Sequence, residues 1–143
     1  MKRLMFVLGL TASTAAMAAP AKPLFADDQP IHIAIKGPIS RFGSSEDRKN
    51  IFPATISTGT ESLPAQLSPR GITRLRKDTC DFPPMRVDFT GTPPATSIFA
   101  GQNRLKLVTH CKTSPGFQQY VLLEYATYRL YNLLSPMSFR TRL

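Results

Sequence analysis

Cys80 and Cys111 are the only cysteines in this sequence of 143 residues, and His110 beside the second is one of only two histidines. Three chemistries are open to such a pair: a disulfide, a thiol made nucleophilic by a neighbouring imidazole, or a metal site. The spacing argues against the last two. There is no Cys-x-x-Cys, and the other histidine, His32, lies far away in sequence. Beyond Lys2-Arg3, cations gather at Arg48-Lys49 and at Arg74-Leu75-Arg76-Lys77, and otherwise stand singly. No aromatic stacking motif accompanies them, so a nucleic-acid partner is not indicated. Serine hydrolysis lacks a Gly-x-Ser-x-Gly elbow, and nucleotide binding of the P-loop type lacks Gly-x-x-x-x-Gly-Lys-[Ser/Thr]. No complete catalytic constellation is present.

The first residues set the compartment in which these groups work. Lys2 and Arg3 precede an apolar run at 4–10 and a stretch of small residues, the three zones of a secretory signal peptide. Ala16-Met17-Ala18 fits the small-x-small cleavage pattern, so residues 1–18 are expected to be removed and the mature chain to begin at Ala19. The apolar run is far shorter than the ~20 residues a membrane anchor needs. Periplasmic or secreted localisation follows. Disulfides form and persist there, which favours a Cys80–Cys111 bridge over free thiols or a metal or catalytic role. The net charge of +9, two units of it in the leader, reads as a solvated basic surface.

Residues 19–143 suffice for one domain with a modest core. Ile31, Ile33 and Ile35 alternate with polar neighbours, as in a half-buried strand over 31–36. Residues 40–50 are polar and aperiodic and are expected to form a mobile surface loop. Two further strands are expected at 52–57 and 63–67, joined by a turn at Ser57-Thr58-Gly59-Thr60. Met85, Val87 and Phe89 alternate next. Leu105 and Leu107 begin a strand expected to run on to Cys111.

The period then changes. Ser114 and Pro115 fit a helix cap and first helical position, and 117–134 has no breaker. Apolar residues nearly encircle this helix, so cover on more than one side is expected. Gln118, Gln119, Glu124, Arg129 and Asn132 argue against a membrane span. The short strands supply little to cover it, so either a protein partner or a missing C-terminal region is expected to do so.

Several stretches carry a distant resemblance to the N-terminal part of the spore-coat-protein-H-like (CotH-type) atypical kinases. Residues 69–77 (PRGITRLRK) with 83–89 (PPMRVDF) resemble that family's Arg-Gly-x-[Ser/Thr]-Arg loop and following strand. Residues 99–107 (FAGQNRLKL), 117–134 (FQQYVLLEYATYRLYNLL) and 24–36 (LFADDQPIHIAIK) resemble its next strand, its helix and its opening strand. The resemblance implies that Lys106 and Glu124 form the strand-lysine and helix-glutamate pair, with Arg70, Arg74 and Arg76 facing nucleotide phosphates; ATP and magnesium would be cofactors only on that alternative. The acidic metal-binding segments of a kinase lie downstream of such a lobe. After Asp88 the only acidic residue is Glu124, so this chain alone is not expected to transfer phosphate.

The expected architecture is α+β: a small mixed or antiparallel sheet with one long C-terminal helix packed on it. The expected role is that of an exported, non-catalytic protein. The alternatives are a CotH-like nucleotide-binding front lobe and an envelope protein-interaction module. No cofactor, no metal and no nucleic acid are expected.

Overall fold

A computed structural model of the chain describes residues 22–143. The expected signal peptide, 1–18, and the cleavage point before Ala19 lie outside the described residues. Five antiparallel strands form one open sheet in sequence order: β1 (Ala34–Lys36), β2 (Phe52–Thr58), β3 (Glu61–Pro69), β4 (Met85–Phe89) and β5 (Arg104–Leu107). A short helix, α1 (Ile39–Gly43), lies between β1 and β2, and α2 (Gln118–Leu134) follows the sheet. The α+β class with an antiparallel sheet and one long C-terminal helix is as expected.

The central hairpin follows from local chemistry. Thr58 pairs with Glu61, leaving Gly59 and Thr60 as a two-residue loop. Gly59 adopts φ +55°, which L-residues rarely tolerate, in the first central position of a strand-compatible turn. The register then places Phe52, Ala54 and Ile56 opposite Leu67, Ala65 and Leu63. Val87 faces Leu67 and Leu105, and Met85 faces Leu107, so one face of the sheet is apolar throughout.

That face is closed by loops and the short α1 rather than by α2. Leu24, Phe42 and Phe99 are buried against it, with Phe25, Phe82 and Ile98 packed around them. The Phe42 ring lies 5.7 Å from that of Phe52 and 5.4 Å from that of Phe82, and Phe89 lies 5.2 Å from Phe99. On the opposite face Asp88 accepts from Arg86 Nε at 2.7 Å and from Arg104 Nε at 2.5 Å, a cross-strand charge cluster.

Three expected boundaries are corrected. The strand over 31–36 shortens to Ala34–Lys36, because Ala34 pairs with Ser57 and β2 reaches its turn just beyond. Ile31 and Ile33 still pack on the core, and Ile31 N–H donates instead to the Leu143 carbonyl at 2.8 Å. The supposed loop at 40–50 begins inside α1, where Phe42 is wholly buried. A five-residue helix is too short to display periodicity, and a single aromatic anchors it. The last strand ends at Leu107 rather than Cys111: its partner β4 starts at Met85 and is preceded by Pro83-Pro84, which have no N–H to extend the ladder.

The helix begins as expected. Pro115–Phe117 forms a 3₁₀ turn, and Ser114 takes the extended backbone of a cap, although its hydroxyl makes no capping bond. Val121, Tyr125, Tyr128 and Asn132 are half-buried at helical spacing, and these turn toward the body. None of the helix's residues is fully buried, and none belongs to the core cluster.

Candidate functional site

The loop after β5 and the start of α2 enclose a cleft of about 260 Å³ beside the Cys80–Cys111 disulfide. Arg74, Thr109, His110, Cys111, Tyr120 and Glu124 are among its walls. The bridge joins Cα atoms 4.7 Å apart and links the loop after the 3₁₀ turn Thr73–Leu75 to the loop after β5. Arg74 Nη2 donates to the Thr109 carbonyl at 3.0 Å, and its buried Nε has no hydrogen-bond partner among the described residues. With Cys111 bonded to Cys80, no free thiol faces His110. The cleft therefore offers one guanidinium, one carboxylate, one imidazole and the hydroxyl-bearing Thr109 and Tyr120 on otherwise apolar walls, and no free thiol.

The residues singled out in the sequence are only partly brought together. Arg74 and Glu124 share the cleft. Lys106 does not join them: its ammonium lies 4.0 Å above the centre of the Phe139 ring, a cation–π contact. No ion pair links Lys106 to Glu124 among the described residues. The three arginines also diverge. Arg76 pairs with Asp78 at 2.5 Å on the exposed surface, and Arg70 uses its backbone N–H to hold the Pro84 carbonyl. No group of three or more His, Cys, Asp or Glu suited to a metal occurs among the described residues.

Around the disulfide a polar web fixes the loops. Asp81 accepts from Thr113 N–H at 3.0 Å and from Lys112 Nζ at 3.4 Å, and its own N–H donates to the Cys111 carbonyl at 2.8 Å. The Thr113 amide chiefly, then Lys112, holds the Asp81 carboxyl below the usual carboxylate range, with desolvation opposing. Arg76 lowers Asp78 in the same way. Glu46 takes the Lys77 N–H at 2.9 Å, and Lys77 Nζ bonds the Gly43 carbonyl, so α1 is tied to this loop.

The outer face of α2 is the largest departure from ordinary surface. Leu123, Leu130, Leu133 and Leu134 are 59, 60, 83 and 76% exposed, and Tyr120 and Tyr131 are each 58% exposed. At 100° per residue these positions, with Leu122 and Ala126, sweep about 180° of the circumference without a charged residue. No helix among the described residues is long and apolar enough to cross a membrane.

Sequence reasoning missed Arg142. Its side chain is 8% exposed and donates to the Gln29 and Leu24 carbonyls at 2.7 and 3.2 Å, and to Asp27 at 3.2 Å. Arg129 adds a 2.6 Å ion pair to Asp28. These contacts span more than a hundred residues of chain, and no local pattern announces them. No family model, curated protein or solved structure matches this chain. The CotH-like resemblance therefore rests on the motifs quoted for it.

Proposed function

We propose that this chain is an exported, non-catalytic protein that acts as an interaction module of the cell envelope, docking a protein partner on the outer face of α2. The exposed, uncharged apolar arc of that helix is the observation that supports this reading. Contiguous apolar surface beyond a few hundred Å² marks binding sites on folded domains. Export is supported by the leader-like N-terminus and fits a disulfide that joins the chain's only two cysteines.

The kinase-lobe alternative requires Lys106 and Glu124 as a pair, and Lys106 instead covers Phe139. A naphthalene-sulfonate dye tests the docking face directly. Native protein diluted until it is monomeric should enhance its fluorescence, and Leu123→Asp with Leu130→Asp should abolish the enhancement without lowering the melting temperature at that dilution. Absence of dye binding by the monomeric protein would remove the reading.

A further inference from the structure

We propose that the occupant of the α2 face is a second copy of this chain, its helix antiparallel to the first about a two-fold axis at Ala126 and Thr127. The proposal rests on the docking role given to that face and names its partner. Residue 126 is the midpoint of Gln118–Leu134, and the arc is patterned symmetrically about the Ala126–Thr127 junction beside it. Small residues, Ala126 and Thr127, stand at the centre, where two backbones must approach. Thr127 Oγ1 already donates to the Leu123 carbonyl at 2.8 Å, so its hydroxyl can be covered without losing a partner. Leu123 and Leu130 lie equally far on either side. In an antiparallel pair Leu123 meets Leu130 of the second copy, Tyr120 meets its Leu133 and Leu122 meets its Tyr131. Such self-complementarity is what a two-fold interface requires.

Area and charge agree with this occupant. The exposed leucines of the arc carry about 100 Å² apiece, and the two tyrosines, at 58% exposure, a similar amount each. The face thus approaches the ~800 Å² per partner of a standard interface. A lipid surface would select cations along the helix, yet Arg129 is α2's only one and it is engaged by Asp28. With no charge on the arc, two copies meet there without like-charge repulsion.

Sedimentation equilibrium of the purified full chain, at about 50 μM, should give a dimer, because a leucine- and tyrosine-rich interface of this size reaches micromolar affinity or better. Leu130→Asp should weaken association by about 30-fold or more. Under mild oxidation Ala126→Cys should cross-link to itself across the axis. Leu133→Cys should not, since the two copies of residue 133 would stand about 20 Å apart along the helices. A monomer that still binds the dye overturns the second copy and leaves the docking role intact. A monomer without dye binding overturns both. Self-linking of Leu133→Cys without that of Ala126→Cys overturns the antiparallel arrangement.

Discussion

Asp81 concentrates several demands in one exposed carboxylate: it takes the Thr113 amide and the Lys112 ammonium while its own N–H holds Cys111. Its folded pKa lies below the ordinary 3.8. A depressed carboxylate gives its full stabilisation above the unfolded value and loses it as pH falls through the lower folded one. Asp81→Asn should therefore lower stability at neutral pH, where the carboxylate contributes fully, and flatten the further loss below about pH 4, as followed by urea unfolding across pH. The adjacent disulfide acts through the unfolded chain. Opening a loop with a sequence separation of 31 should cost roughly 3–4 kcal/mol, so Cys80→Ser with Cys111→Ser should lower the melting temperature by many degrees. Reductant should do the same to the native protein in a thermal scan.

At the scale of elements, α1 and α2 invert what their compositions suggest. The polar stretch around α1 hides Phe42, whose ring closes the apolar face of the sheet against Phe52 and Phe82. Phe42→Ala should cost about 3–5 kcal/mol by chemical denaturation, the range for deleting a buried aromatic. A surface loop would change by less than about 0.5 kcal/mol. The apolar α2, by contrast, buries no side chain completely. At dilutions where the protein is monomeric, Leu133→Ser, at a position 83% exposed, should leave the unfolding free energy within about 0.5 kcal/mol of native. The pattern that announced α2 as a helix was legible because 17 residues span several turns. The pattern of α1 was not, because five residues make little more than one.

For the molecule as a whole, the open sheet leaves two edges. Both are short, and they bear Lys36 on one side and Arg104 and Lys106 on the other, which discourages strand addition. The chain closes on itself elsewhere. Arg142 binds two carbonyls and a carboxylate of the lead-in before β1, and Ile31 N–H reaches the Leu143 carbonyl. Arg142→Ala removes a nearly buried cation and orphans those acceptors. It should destabilise by about 1–3 kcal/mol and speed proteolytic trimming after α2, measured by limited proteolysis with mass spectrometry.

Sequence alone determined the hairpin at Gly59-Thr60, the alternation of Met85, Val87 and Phe89, the disulfide partners and the helix at 118–134, because each is written within one or two turns of chain or in a choice of two cysteines. Only the tertiary structure decided which face of α2 stays bare, where Lys106 points, and that loops and α1 rather than α2 cover the sheet. Those outcomes depend on contacts between residues far apart in sequence, such as Phe42 with Phe82, Lys106 with Phe139 and Arg142 with Leu24. Burial is a property of what a residue meets, and periodicity states only which residues share a side.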